Sequence, residues 1–199
     1  MRQQSSPPDP AARLRSTSSL GQKLLRIVWG VAHATLFHYS FHNANRFRSA
    51  LLRLFGASVG RRCTIRRTAR IYYPWLLSMG DLSTLGDGAT VYNLAKISIG
   101  DRVTVSQEAY LCAGTHDYSS LAMPLVTRPI SIGNDAWICA RAFVGPGVVV
   151  GEGAILGATA TTARDLADWT IYAGNPAVPL KARAPLTQKP ADTTAVQSG

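Results

Sequence analysis

From Val59 to about Thr162 an aliphatic residue recurs, with few shifts of register, at every sixth position. The main periodic positions are Val59, Ile65, Ile71, Leu77, Leu85, Val91, Ile97, Val105, Leu111, Ile132, Ile138, Val144, Val150 and Leu156. A period of six fits neither the repeat of an α-helix nor the alternation of a long strand. It fits short strands joined by corners, so that three units make one triangular coil and the coils stack as parallel sheets. The pattern therefore predicts an all-β solenoid whose prism is filled by the aliphatic side chains.

Two amphipathic helices are predicted ahead of this repeat. The first covers residues 20–39, and its charge-free stretch 27–37 is shorter than the roughly 20 apolar residues that span a bilayer. The second covers residues 44–55, where aromatic and leucine side chains follow helical spacing and Gly56 can end the helix. Two roles are open for these helices. They can cover the unpaired strand edges of the first coil, or lie on the cytoplasmic face of a membrane with Trp29 and the arginines at the headgroups.

Composition divides the chain into five segments. Residues 1–19 and 185–199 are rich in Ser, Pro and other small or polar residues, which predicts disordered tails. Residues 20–56 form the basic helical segment, and residues 57–174 form the repeat domain. Residues 175–184 are predicted to close the solenoid as a C-terminal cap that contains a short helix.

Positive charge is concentrated in the N-terminal third. Residues 1–70 contain 13 Lys and Arg and one acidic residue, whereas residues 71–199 contain 8 basic and 10 acidic residues. Such a block predicts an anionic neighbour, such as phospholipid or acidic glycan, or is an ordinary solvated face. We expect no nucleic-acid partner, because neither a recognition fold nor a stacking platform accompanies the charge.

The cysteines and the first residues of the chain indicate a compartment. Cys63, Cys112 and Cys139 lie within the repeat and form no C-x-x-C pair. An odd number of core thiols suits a reducing cytoplasm, and no apolar run of a secretory signal precedes Leu20. We therefore expect a cytoplasmic protein, either free or in peripheral contact with the inner face of the cytoplasmic membrane.

The repeat is interrupted on a large scale after Leu111. Residues 115–131 are predicted to bulge from the coil as a loop, and His116 lies at its root. His116 is the only histidine of the repeat domain, and imidazole is the natural general base for a hydroxyl that attacks a thioester. The acceptor that holds its second ring nitrogen is left open between Asp117, Glu108 and a backbone carbonyl.

Other kinds of catalytic centre find no support in the sequence. A zinc centre of the sort that needs several histidines is not expected, because the repeat domain has one. No nucleophile elbow, phosphate-binding loop or dinucleotide fingerprint is present, and the Gly-x-Gly piece at 151–153 belongs to the repeat. No metal is therefore predicted.

Three stretches carry a family resemblance: ISIGDRVTVSQEAYLCAGTHDY at 97–118, ISIGNDAWICARAFVGPGVVVGEGAILGA at 130–158 and AGNPA at 173–177. On these motifs the chain resembles the left-handed β-helix hexapeptide acyltransferases over about residues 45–183. Within that family it is similar to the O-acetyltransferases of exopolysaccharide biosynthesis of the colanic-acid type. The resemblance implies a left-handed parallel β-helix and a homotrimer with an active site in each cleft between neighbouring prisms. It also implies acetyl-CoA as the donor and a sugar, or a lipid-linked or nucleotide-linked saccharide, as the acceptor.

The resemblance also implies roles for single residues. His116 matches the catalytic base, and Asp117 beside it is a second catalytic candidate. The implied acceptor contacts are Asn93, Tyr92 and Asp81. The implied acetyl-CoA contacts are Trp137, Ala140, Gly157, Ala158, Ala163, Arg164 and Lys181. The chain departs from the family pattern at Cys139, which replaces a glycine, and at Thr159 and Ala160, which replace Gly-Ser.

The sequence therefore predicts an acetyl-CoA-dependent O-acetyltransferase that acts on a sugar hydroxyl, with His116 as general base. Two alternatives are weighed against it. The same chemistry could serve a small-molecule acceptor, such as an antibiotic or an amino acid. A catalytically silent β-helix could instead serve as an assembly scaffold, but a scaffold has no need of His116, Asn93 or a basic residue at position 164.

Overall fold

The computed structural model describes residues 19–184 and 186. The predicted disordered tails lie outside these residues, apart from Ser19 and residue 186. Ser19 is the N-cap of the first helix, because its side chain accepts a hydrogen bond from Gln22 N while the Gln22 side chain accepts one from Ser19 N. This reciprocal pair places the start of the folded segment one residue ahead of the predicted boundary.

Two helices precede the solenoid, as predicted. Helix α1 spans Leu20–Ala32 and continues directly into a π-helical segment at His33–Phe37. Helix α2 spans Asn45–Leu54, and Gly56 follows it with a φ of 88°, a conformation that glycine adopts without strain. Neither helix of the described region is long and apolar enough to cross a membrane.

Three sheets form the walls of the solenoid, and the chain visits them in turn. Sheet I contains β1 (Ser58–Val59), β4 (Leu77–Met79), β7 (Ile97–Ile99), β12 (Ile130–Ile132) and β15 (Val149–Val150). Sheet II contains β2 (Thr64–Ile65), β5 (Thr84–Leu85), β8 (Thr104–Val105), β13 (Trp137–Ile138), β16 (Ile155–Leu156), β18 (Thr170–Ala173) and β19 (Val178–Ala182). Sheet III contains β3 (Arg70–Ile71), β6 (Thr90–Tyr92), β9 (Tyr110–Cys112), β14 (Phe143–Val144) and β17 (Thr161–Thr162). The turns between them are named corner I/II, corner II/III and corner III/I.

The aliphatic side chains fill the prism in the predicted order. Ile65, Leu85, Val105, Ile138 and Leu156 follow one another along sheet II, and each is fully buried. Burying a side chain of this size contributes about 1.5–3 kcal/mol to stability. These side chains belong to one continuous apolar core that runs through the stacked coils. The predicted six-residue periodicity of the interior is confirmed.

A ladder of carboxylate and amide side chains stacks the turns at corner I/II. The Oδ1 atoms of Asp81, Asp101 and Asn134 each accept a hydrogen bond from a backbone N–H one coil earlier, at 2.7, 2.7 and 2.9 Å. The N–H of Arg61 and its guanidinium hold the pKa of Asp81 below its usual value. Asp81 is a rung of this ladder and lies on a different corner of the prism from His116, and its expected contact with the acceptor stays a prediction.

The N-terminal helices cover the open end of the first coil. The bonds run from Trp29 Nε1 to Ile71 O (2.7 Å), His33 Nε2 to Ala69 O (2.9 Å), Arg48 Nε to Ile65 O (2.5 Å) and Arg53 Nε to Val59 O (2.9 Å). Burial lowers the pKa of His33, so the ring is neutral at pH 7 and donates through Nε2. Side chains from the helices thus satisfy carbonyls that no strand reaches.

The predicted short C-terminal helix is wrong. Residues 175–184 instead contain β19, which pairs antiparallel with β18 at the edge of sheet II. Pro176 and Pro179 lack the N–H donors that a helix requires, whereas an edge strand tolerates them. The pairing covers the last edge of sheet II, which a parallel solenoid otherwise leaves without a partner.

Candidate active site

The break in the repeat forms a β-hairpin outside the solenoid. After β9 the chain enters β10 (Gly114–His116), which pairs antiparallel with β11 (Leu125–Thr127) before the chain rejoins sheet I at β12. The hairpin leaves the prism at corner III/I. It occupies the region predicted as the loop 115–131, and it places His116 at the end of β10 as an exposed residue.

A backbone carbonyl holds the ring of His116. The Nδ1 atom lies 2.6 Å from Met123 O, across the hairpin. A carbonyl oxygen only accepts hydrogen bonds, so Nδ1 carries a proton, and the lone pair of the neutral form of the ring is on Nε2. Within the described residues, Nε2 of His116 has no hydrogen-bond partner. The imidazole is therefore oriented as a base that can accept a proton from a molecule outside the chain.

The two carboxylates considered as partners of His116 bind elsewhere. Asp117 accepts hydrogen bonds from the hydroxyl and the N–H of Ser119, and these bonds lower the pKa of its carboxyl group. Glu108 forms an ion pair with Arg141, whose Nε lies 2.5 Å from its Oε2. The carboxylate of Asp117 thus bonds within the turn of the hairpin and is not the group that holds His116 Nδ1, and its catalytic role stays a prediction.

A row of aromatic rings runs along the outside of sheet III to the root of the hairpin. Ring centroids are 4.7 Å apart for Tyr72 and Tyr92, 6.2 Å for Tyr92 and Tyr110, and 5.7 Å for Tyr110 and Phe143. A Cβ added at Gly114 would lie 3.4 Å from the ring of Tyr92, so this ring packs directly against β10. Tyr92, an expected acceptor contact, therefore lies beside the strand that carries His116.

Sequence reasoning missed the rest of this row, although a signal was present. Tyr72 and Tyr92 occupy the same position in successive coils, one residue after the paired Ile71 and Val91. Burial raises the pKa of Tyr110 to about 12 and raises the pKa of Tyr92. The hydroxyl groups of both tyrosines are therefore protonated at neutral pH and can donate hydrogen bonds.

Asn93 is built into the wall at corner III/I. It is fully buried, its Oδ1 accepts from Tyr73 N at 2.9 Å, and its Nδ2 donates to Tyr73 O at 2.5 Å. Both functional groups of its amide are engaged with the preceding coil. Within one chain the amide of Asn93 therefore joins two coils, and its role in acceptor binding stays a prediction.

Four of the expected acetyl-CoA contacts lie together on sheet II and at corner II/III. Trp137 is 43% exposed, and its Nε1 donates to Ser106 Oγ at 2.8 Å, which fixes the indole against the surface. Ala140 and the pair 157–158 lie on adjacent turns, joined by a bond of 2.9 Å from Thr159 N to Ala140 O. A groove of about 670 Å³, lined in part by Ser106, continues along the same corner over the preceding coils.

The remaining expected contacts lie apart from this group. Ala163 and Arg164 follow β17 at corner III/I, where the hydroxyl of Thr162 donates to Arg164 O at 2.7 Å and leaves the guanidinium exposed. Lys181 is an exposed residue of β19, opposite Ile171. Within a single chain, the expected site residues therefore lie in two separate groups. His116 and Arg164 belong to corner III/I, whereas the group around Trp137 belongs to sheet II and corner II/III.

The described residues offer no other obvious nucleophile or metal site near this group. Burial raises the pKa of the Cys139 thiol, which is therefore protonated and a poor nucleophile at neutral pH. In the part of the chain that the structure describes, no three His, Cys, Asp or Glu side chains come close enough to hold a metal ion.

Comparison with known proteins decides the family. The bacterial transferase hexapeptide family (six repeats) matches residues 129–164. A protein of Escherichia coli (strain K12) named as a colanic acid biosynthesis acetyltransferase is 39% identical over 156 residues, which cover 78% of this chain and 86% of the relative. The chain belongs to the hexapeptide-repeat acetyltransferases.

Solved structures of hexapeptide-repeat acetyltransferases share this fold. One from Vibrio cholerae gives a TM-score of 0.77 at 22% identity and covers 84% of this chain and 96% of its own. A galactoside acetyltransferase in complex with coenzyme A gives a TM-score of 0.77 at 20% identity and covers 84% of each chain. The predicted left-handed parallel β-helix is confirmed for this hexapeptide-repeat acetyltransferase.

Proposed function

We propose that this acetyltransferase transfers an acetyl group from acetyl-CoA to a sugar hydroxyl, and that it does so as a homotrimer. One observation carries the proposal. The bond from His116 Nδ1 to Met123 O fixes an exposed imidazole in the tautomer with a basic Nε2. A histidine held in this way on a hairpin outside the prism contributes nothing to the core, but it can serve as a general base.

The proposed reaction is a direct transfer within a ternary complex. His116 Nε2 takes the proton of the acceptor hydroxyl as the oxygen attacks the thioester carbonyl. The tetrahedral intermediate then collapses, and the CoA thiolate leaves and takes the proton from the imidazolium. The N–H groups of Ala140 and Ala158 donate to no other group in the described structure, so they are available to the oxyanion or to the amides of the pantetheine arm.

The separation of the expected residues favours a site shared between two chains. His116 projects from corner III/I of one prism, while Trp137, Ala140 and the pair 157–158 lie on sheet II and corner II/III. A cyclic trimer brings different corners of neighbouring prisms together, because its interfaces are heterologous. We therefore place acetyl-CoA along corner II/III of one chain, facing the His116 hairpin of the next.

The acceptor is assigned to the sugars on two grounds. The relatives are named for colanic acid biosynthesis and for galactoside acetylation, and the aromatic row of Tyr72, Tyr92 and Tyr110 leads to the His116 hairpin. Aromatic rings pack well against the apolar faces of pyranose rings, Tyr72 is exposed, and the tyrosine hydroxyls can donate to ring substituents. A silent scaffold would require neither this row nor an oriented imidazole.

Calorimetric titration with acetyl-CoA tests the donor. We expect saturable binding by the wild-type protein and binding about tenfold weaker for Arg164→Ala and for Lys181→Ala, because the proposal assigns each of these cations to a CoA phosphate. Arg62→Gln is the matched control, since Arg62 is an exposed cation at corner I/II. Absence of binding by well-folded wild-type protein would contradict the proposed function and support the scaffold.

A further inference from the structure

Helix α1 is apolar on two opposite faces. Trp29 and Ala32 are buried on its inner face, where Trp29 Nε1 donates to Ile71 O of the first coil. The residues on the other side are exposed by 84% at Leu20, 63% at Leu24, 64% at Ile27, 48% at Val28 and 61% at Val31. A surface helix normally leaves its outer face polar. This outer row of exposed apolar residues therefore indicates contact with a second apolar environment, which the described residues of the chain do not supply.

The outer row continues beyond the end of α1. The hydroxyl of Thr35 donates to Val31 O, and Thr35 and Leu36 line the next apolar feature, a groove of about 430 Å³. Tyr39 and Phe41, which are 79% and 85% exposed, line the same groove. We define the outer apolar surface as Leu20, Leu24, Ile27, Val28, Val31, Leu36, Tyr39 and Phe41.

Cations flank this surface without acidic partners. The chain has no Asp or Glu between Asp9 and Asp81. Lys23, Arg26 and Arg70 line a groove of about 810 Å³ between α1 and the first coil, and the Arg26 guanidinium lies 5.3 Å from the ring centroid of Tyr73. Within residues 19–184, none of these three cations forms an ion pair. The groove is therefore suited to an anionic group.

We propose that the outer apolar surface docks on the surface of an anionic phospholipid bilayer. The apolar row enters the boundary between headgroups and acyl chains, and Lys23, Arg26 and Arg70 meet lipid phosphates. The charge pattern selects this occupant over a second copy of the chain, because pairing two such surfaces would bring like charges together. Helix α1 lies in the plane of the bilayer, since it is too short to cross it.

The geometry of the fold supports the same orientation. The helices lie at the end of the prism formed by the first coil, away from the C-terminal strands β18 and β19. In the proposed trimer the three surfaces would lie at the same end of the assembly, and simultaneous docking would strengthen weak single contacts. The inference does not depend on acetyl transfer, since a monomer presents the same surface.

Vesicle flotation with the full-length protein tests the proposal. We expect the wild type to float with phosphatidylcholine vesicles that contain phosphatidylglycerol, to float poorly with phosphatidylcholine alone, and to be released by high salt. The double variant Ile27→Glu/Val31→Glu is expected to partition at least about tenfold less well, because it places charge in the apolar row. The matched control is Val178→Glu/Leu180→Glu, which adds the same charge to exposed apolar residues of β19.

Two results would overturn the proposal. The first is a wild-type protein that does not float with anionic vesicles, and the second is equal flotation of the wild type and Ile27→Glu/Val31→Glu. If the wild type does not float, a changed oligomeric mass of that variant, measured by light scattering, would show that the surface is a contact between chains. Acetyl-CoA titration of the same samples separates failure of the membrane inference from failure of the proposed function.

Discussion

Replacing His116 by alanine is expected to lower kcat by about 10²–10⁴-fold, the usual contribution of a positioned general base. The affinity for acetyl-CoA should be unchanged, because the imidazole is proposed to act on the acceptor hydroxyl and not to bind the donor. The rate can be followed by release of the CoA thiol, with a panel of methyl pyranosides as acceptors. The separation of kcat from donor affinity is what distinguishes a base from a binding residue.

Asp117→Asn is the matched control for this experiment. Asp117 adjoins His116 in the chain, but its carboxylate binds Ser119 and does not touch the imidazole. The variant should therefore keep most of the wild-type kcat. A His116→Ala protein with near-normal turnover would exclude the proposed base, and a loss at Asp117 as large as the loss at His116 would show that the carboxylate takes part in catalysis.

Replacing Arg48 by methionine is expected to destabilise the fold by about 3 kcal/mol, because several polar groups would lose their donors. Arg48 is fully buried, and the N–H groups of its guanidinium donate five hydrogen bonds. Its partners are Ile65 O, Ser40 Oγ, Phe41 O, His42 O and Asn45 Oδ1, at 2.5–2.9 Å. A guanidinium can satisfy this many acceptors at once because its five N–H groups are held in a planar fork.

Thermal unfolding monitored by circular dichroism measures this effect. For a chain of this size, a loss of that magnitude lowers Tm by roughly 10 °C. Arg46→Met is the control, since Arg46 is exposed on the same helix and its replacement should change stability by less than about 0.5 kcal/mol. An unchanged Tm for Arg48→Met would show that water replaces the guanidinium without loss.

The repeat domain could be predicted because a solenoid makes its constraints local. Each coil packs only on its neighbours, so the inward positions of Ile65, Leu85 and Val105 recur at a fixed period that can be read without knowledge of distant contacts. The C-terminal helix was predicted wrongly because β19 is stabilised by pairing with an edge, a tertiary contact with no local period. Pro176 and Pro179 were the available signal.

The site was predictable only in part. His116 could be located because the repeat breaks beside it, but the partner of Nδ1 is the carbonyl of Met123, and backbone carbonyls leave no trace in residue type. Asn93 and Asp81 have side chains that suit sugars, yet the same amide and carboxylate groups also stack coils. The hydrogen bonds of Asn93 and Asp81 to neighbouring coils come from the fold and could not be read from the sequence, and the acceptor contacts of both residues stay predictions.

Complementation between inactive subunits tests the shared site most directly. His116→Ala removes the base at corner III/I, and Ala158→Trp blocks the exposed turn at corner II/III. The two variants can be co-expressed with different tags, and trimers that contain both can be isolated by two affinity steps. Each parent alone should be inactive, but every mixed cyclic trimer contains one cleft with both intact residues, so about one third of the wild-type rate should return. Mixed trimers as inactive as their parents would show that no cleft between chains joins His116 to corner II/III.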